Sequence, residues 1–305
     1  MRNNTSIESW ARMLDRWRRG ATEKYQAYFM VAPAMAMLLL VTAYPVCEAA
    51  WLSLHRFILV FHDWRFLGTQ NYRFLLSDGR FWTALANTGY FTLMVVLLEL
   101  ALGLGFALAL NESFRGRRAV RASVLIPWAI PTVISAKAWA WFFDAGGPGS
   151  RLLLNPDASW LGTPGYAMHA AILVDVWKTT PFVAVLLLAG LQAIPRDVYE
   201  AAEVDGASWW RVFRSVTLPM LGPMIAVALL FRTLDAFRVF DAIYVLTEGG
   251  PANTTETVSI YAYKTLMRAG DFGYGSSLAI AIFLAALGIS LGYVKVLGRV
   301  LGAAR

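Results

Sequence analysis

The chain has 305 residues, 58% of them hydrophobic and 15% charged, and a mean hydropathy of +0.52, against about 45–50% apolar and about 25% charged in soluble domains. A water-facing surface of this size cannot hide so much apolar side chain, so a soluble globular enzyme is excluded and lipid must solvate much of the chain. The net charge of +7 then points to basic loops beside a membrane rather than to nucleic acid, and the single cysteine, Cys47, excludes an internal disulfide framework or a cysteine metal cluster.

In residues 1–24, basic side chains alternate with Ile7, Trp10, Leu14 and Trp17, a spacing that predicts an amphipathic helix on the cytoplasmic membrane surface. Residues 25–305 are expected to form the membrane domain. Crossing the hydrocarbon core takes about 20 mostly apolar residues, and six stretches qualify: Ala27 to Leu54, Trp82 to Leu110, Ala119 to Phe143, Tyr166 to Ile194, Val216 to Leu246 and Ser276 to Val300. Prolines 127, 131, 219 and 223 interrupt the third and fifth, which neighbouring helices can cover. The expected fold class is therefore all-α, a polytopic membrane protein with six transmembrane helices. Sixteen cations fall in the segments on the side of the two termini and seven on the other, which predicts that both termini are cytoplasmic. No GxxxxGK[ST] loop occurs, so no Walker-type ATP site is expected, and His55, His62 and His169 have no metal-ligand spacing.

Between the fourth and fifth spans lies a segment, about 196–219, that does not read as lipid-facing. Asp197 after Pro195 predicts an N-cap with Glu200 at capping-box spacing, Gly206 stops the first short helix, and Ser208 caps a second whose apolar face is Trp209, Trp210 and Phe213. Periodicity alone is satisfied by a helical hairpin lying on the membrane. The spacing adds more. Glu200-Ala201-Ala202, three residues, Gly206, nine residues, then Val216-Thr217-Leu218-Pro219 closely resembles the EAA loop of permease subunits in binding-protein-dependent ABC importers, with Val216 in place of Ile. Val176-Trp177-Lys178-Thr179-Thr180-Pro181-Phe182, Ala189-Gly190-Leu191-Gln192-Ala193-Ile194-Pro195 and Leu246-Thr247-Glu248-Gly249-Gly250-Pro251 resemble the carbohydrate branch of that family.

The resemblance implies a type I importer transmembrane domain in a prokaryotic inner membrane, importing a di- or oligosaccharide of the maltose or trehalose kind. It implies as partners a second permease, an ABC ATPase dimer that binds ATP and Mg²⁺ outside this chain, an extracytoplasmic sugar-binding protein and membrane lipid. Glu200, Ala201, Ala202, Asp205 and Gly206 would be the surface that couples to the ATPase. The chain itself would catalyse no reaction and hold no cofactor.

Ionisable groups at membrane depth cost about 2.5–3.5 kcal/mol on insertion scales, so each signals a pair or a cavity. Asp175 and Lys178, Arg232 and Asp235, and Arg238 and Asp241 are opposite charges at i, i+3 and can simply neutralise one another. At about 100° per residue, Asp175, Lys178, Thr179 and Phe182 share one face of the fourth span, and Arg232, Asp235, Ala236 and Val239 one face of the fifth, with Arg238 and Asp241 turned away. Asp175 and Asp235 each lie nineteen residues from the cytoplasmic ends of their spans, so the two patches stand at one level. Facing carboxylates, cations and an aromatic ring suit sugar hydroxyls and C–H faces, and the sugar of maltose-type permeases lies between these two helices. Glu99 and Lys137, alone on their spans, are expected to pair across helices. An ion-coupled secondary carrier using Glu99, Asp175 or Asp235, and a glycerol-phosphate-type importer, are the alternatives.

Overall fold

A computed structural model of the chain describes residues 4–61, 63–152 and 159–303, the side chains of 4–24, 27, 150, 152, 296, 297 and 299–303 excepted. The expected amphipathic face of residues 1–24 lies outside the described side chains. The chain divides into two units, Met1–Leu52 and Ser53–Arg305. The first is one helix, α1 (Asn4–Leu52), continuous through Pro33 and Pro45.

The second unit opens with an antiparallel hairpin, β1 (His55–Ile58) and β2 (Asp63–Phe66), pairing His55 with Phe66 and Ile58 with Asp63. All other regular structure among the described residues is helical. The short α2 (Gln70–Ser77) leads to α3 (Gly79–Asn111), whose first turn is capped by Asp78 accepting from Arg80 N–H at 2.9 Å. Next come α4 (Arg117–Ala129), α5 (Thr132–Phe143), the short α6 (Pro148–Leu152) and α7 (Tyr166–Gln192). Two short helices, α8 (Arg196–Val204) and α9 (Trp209–Val212), precede α10 (Leu218–Phe237). The chain ends with α11 (Asp241–Leu246), α12 (Val258–Tyr263) and α13 (Phe272–Ala303).

Five of the spans expected from the sequence are helices long and apolar enough to cross a membrane; the sixth, α4 with α5, reaches that length only as a pair bent by 91°. Pro131 causes this bend. It has no N–H to give and forces Ile130 out of helical geometry, to φ −75° and ψ 133°. The fifth span is also corrected: it stops at Phe237 instead of continuing to Leu246, because Arg238 turns out of the helix at φ −99° and ψ 15° before α11 restarts. No glycine or proline marks that break.

The core lies where α3 crosses α7. Gly103 of α3 sits so close that a Cβ there would stand 2.7 Å from Val183 Cγ1 of α7. Phe91, Val95, Ile172, Val176 and Ile243 fill one buried cluster, and Ala107, Leu187, Leu191 and Leu221 another toward the end carrying α8 and α9. Burying the faces of α3, α7 and α10 against each other fixes the level at which their polar residues meet.

Candidate functional site: an intramembrane polar cavity and an exposed helical loop

Where α7 and α10 lie side by side, a cavity of about 440 Å³ opens, lined from α7 by Asp175, Lys178 and Thr179 and from α10 and the turn after it by Asp235, Ala236 and Val239. These are six of the eight residues expected there from the sequence. The size falls in the range of about 300–1,000 Å³ usual for small-ligand sites. The turn at Arg238 brings in side chains that a continuous helix would have pointed away. Arg238, Phe240 and Asp241 line the same cavity, and Trp128 and Thr132 close it from the α4–α5 bend. No sequence signal placed these five.

Two expected residues are not in the lining. Phe182, one turn below, packs its ring 6.0 Å from Trp128 and 6.5 Å from Phe231. Arg232 is 4% exposed and lies beneath the cavity, where it is the hub of an ion network. Its Nε and Nη2 donate to the two oxygens of Glu99, the second bond at 2.8 Å. Nη2 also donates to Asp175 Oδ2 at 3.0 Å, and Nη1 to Asp235 Oδ2. Glu99, fully buried on α3, receives the Thr179 hydroxyl as well. The network thus ties α3, α7 and α10 at one level, and a fork of planar N–H groups is what makes such bidentate pairing possible.

The expected self-neutralising pairs are corrected accordingly. Arg232 and Asp235 pair, but Asp175 pairs with Arg232 rather than with Lys178. Lys178 Nζ donates instead to the Ile130 carbonyl at 2.6 Å, a group that the bend has left without a helical partner. Arg238 Nε donates to the Leu234 carbonyl at 3.1 Å. Lys137 is exposed and makes no salt bridge among the described residues, although its charge acts on Glu248 after α11.

The loop after α7 folds as two short helices and a bend. The first starts at Arg196, with Pro195 as its N-cap, so Asp197 lies inside the first turn and makes no cap, correcting the expected capping box. Gly206 ends it at φ +68°, where the Ala207 N–H reaches back to the Ala202 carbonyl at 3.0 Å, the closure that favours glycine in this position. Ser208 occupies the N-cap of α9 but makes no side-chain cap bond. A π-helical turn, Phe213–Thr217, carries α9 straight into α10. Glu200, Ala201, Asp205 and Gly206 are exposed and Ala202 is half-exposed. Trp209 and Phe213 stack at 5.6 Å. The Tyr199 hydroxyl stands 3.3 Å from Thr217 Oγ1, joining α8 to the root of α10.

A bundle of apolar helices around a polar cavity, with an exposed helical loop at one end, defines a polytopic membrane permease. The chain matches the model of the family described as binding-protein-dependent transport system inner membrane component over residues 101–297, and it belongs to that family. It is 45% identical over 273 residues to the trehalose/maltose transport system permease protein MalF of Thermococcus litoralis, covering 88% of this chain and 92% of that one. It is 43% identical over 277 residues to the trehalose transport system permease protein SugA of Mycobacterium tuberculosis, covering 90% of each. Among solved structures, a bacterial ABC transporter involved in import of the acidic polysaccharide alginate matches with a TM-score of 0.80 at 24% identity, covering 93% of this chain and 99% of that one, which places the fold. The chain is thus a transport subunit of a membrane importer and not an enzyme, and the secondary-carrier alternative falls.

Proposed function

We propose that the chain is one of two permease halves of an ATP-driven importer for an uncharged disaccharide of the trehalose or maltose type. The observation that carries this reading is the cavity at the crossing of α7 and α10, where Asp175, Asp235 and Asp241 supply acceptors, Lys178 and Arg238 donors, and Trp128 and Phe240 aromatic faces. Sugar hydroxyls need paired donors and acceptors, and their C–H faces stack on rings. The substrate class printed for the two curated relatives supports the same choice.

In this reading both termini are cytoplasmic, and residues 25–305 form the permease domain behind an amphipathic segment at 1–24. An ABC ATPase dimer, which supplies ATP and Mg²⁺ binding, seats on Glu200, Ala201, Ala202, Asp205 and Gly206. An extracytoplasmic sugar-binding protein delivers the substrate at the other end. Ala201 and Ala202 leave a low surface for close seating, and Glu200 offers a carboxylate to a cation on the ATPase. Movement of α8 reaches the cavity through the Tyr199–Thr217 contact and the continuous α9–α10 rod, about 26 Å from Leu218 to Asp235 at 1.5 Å per residue.

The test is uptake of labelled trehalose by proteoliposomes holding the assembled transporter and its binding protein. ATP-dependent accumulation, at least tenfold lower in Asp235→Asn, supports the reading. Accumulation that follows an ion gradient and ignores ATP, or that is unchanged in Asp235→Asn, overturns it.

A further inference from the structure

Glu99 has no place in the cavity wall. It is fully buried on α3, its two oxygens are taken by Arg232, and Thr179 donates to it from α7. A carboxylate held this deeply without a ligand contact is costly to bury, and the cost is offset only by what it does to its neighbours. Its neighbour is the hub of the site. Of the five N–H groups of a guanidinium, Arg232 spends two on Glu99, points Nη2 also at Asp175 Oδ2 at 3.0 Å, and spends one on Asp235 Oδ2. Each aspartate has its second oxygen left over, and both aspartates line the cavity.

We propose that Glu99 is a positioning residue: acting through Arg232, it fixes Asp175 and Asp235 as hydrogen-bond acceptors and makes the cavity selective for uncharged polyhydroxylated ligands over anionic ones. The inference rests on the sugar-pathway reading above. The balance of charge at and beneath the wall explains the selectivity. The Arg232 cation is neutralised by Glu99, and Glu99, Asp175 and Asp235 together engage four of its five N–H groups, so it has little left for an incoming anion, which meets Asp175, Asp235 and Asp241 at the cavity wall. Lys178 and Arg238 are the cations of the wall; each has one N–H held by a backbone carbonyl, Ile130 at 2.6 Å and Leu234 at 3.1 Å, and together they are outnumbered by the three carboxylates. Removing the Glu99 charge would free half of the Arg232 fork and shift the local balance by one positive charge, while loosening the two aspartates that a neutral sugar needs. Loss of the neutral ligand and gain of the anionic one should therefore occur together, which a merely structural role would not produce.

The experiment is saturation-transfer NMR on the assembled transporter in lipid nanodiscs, without the binding protein, with trehalose as probe and its 6-carboxylate (the uronic acid) as competitor. The wild type should bind trehalose and ignore the uronate. Glu99→Gln should weaken trehalose at least tenfold and let the uronate compete. Glu99→Asp, which keeps the charge on a shorter stem, should weaken trehalose less and still exclude the uronate. The pair Glu99→Gln with Arg232→Gln should lose no more trehalose binding than the worse single change, because both act through one network. If trehalose binds the wild type but both Glu99 variants weaken it equally and neither admits the uronate, or the two changes add, this inference is overturned while the pathway reading stands. If the wild type binds no neutral sugar, the pathway reading falls and this inference with it.

Discussion

Lys178 of α7 donates to the backbone carbonyl of Ile130 at 2.6 Å, at the point where α4 and α5 turn 91° apart. The buried lysine finds its explanation in that bond. Pro131 strands the carbonyls of the last turn of α4, and an ammonium at a helix C-terminus satisfies one of them and sits at the negative end of the dipole.

Lys178→Met should therefore lower stability, since it removes the donor and leaves a carbonyl unsatisfied away from water, at about 1–3 kcal/mol. Lys178→Arg retains a donor and should keep most of it. The midpoint of thermal inactivation of the detergent-solubilised protein reports this. A methionine variant as stable as the wild type would mean that water reaches Ile130.

Close approach of α3 and α7 gives a second prediction. A Cβ on Gly103 would lie 2.7 and 2.9 Å from Val183 Cγ1 and Cβ and 3.3 Å from the Ala184 nitrogen. Valine is stiff at χ1 and cannot swing aside, so Gly103→Ala should destabilise by about 1–3 kcal/mol through overpacking. Adding Val183→Ala should recover part of that loss, a coupling of at least about 0.5 kcal/mol. Gly288, with nothing within 4 Å, should accept alanine without loss. Strict additivity at positions 103 and 183 would refute the contact.

How much of this was legible in the sequence follows from which forces act locally. Apolar run lengths are enough to place five spans, and equal counts from the ends of the fourth and fifth spans rightly put Asp175 and Asp235 at one level, where both reach Arg232. The helical wheel failed where the helix itself stopped. Arg238 and Asp241 would face away only if α10 ran past Phe237, and no glycine or proline warns that it does not. Phe182 shares the wheel face of Asp175 but lies below the cavity level, against Trp128. Glu99 could be flagged as a buried charge in need of a partner, but choosing Arg232, 133 residues away, needs the tertiary packing of α3 on α10.

At the N-terminal end of α3, Glu256 accepts from Arg80 Nε at 2.7 Å and Nη2 at 2.8 Å and from Lys264 Nζ at 2.7 Å, with a side chain only 1% exposed. Burial pushes its carboxyl up, but the hydrogen bonds from Arg80 and Lys264 outweigh burial and hold it below its ordinary value. The unfolded chain then takes up the proton first, so the stabilisation is full above about pH 4.3 and is lost as pH falls through the lower folded-state value. Glu256→Gln should lower the midpoint of thermal inactivation at neutral pH, and the two curves should converge on titration toward pH 3. Parallel curves would show that the pair adds nothing linked to the proton.

Gly206 tests the proposed coupling loop apart from the cavity. Its φ of +68° lies where L side chains are strained, yet a Cβ there would meet nothing within 4 Å, so within this chain the effect of substitution is conformational and not steric. Alanine in this conformation costs about 1–2 kcal/mol and should open the Ala207-to-Ala202 closure that sets α8 against α9. Gly206→Ala should therefore reduce ATP-driven trehalose uptake severalfold while trehalose binding in the cavity stays as in the wild type. Gly206→Asn should recover much of the loss, because asparagine tolerates left-handed backbone by hydrogen bonding locally. Uptake and ATP turnover measured on the same proteoliposomes separate the cases. If alanine and asparagine fail alike, the position matters through a side-chain clash with the ATPase surface rather than through the bend it makes.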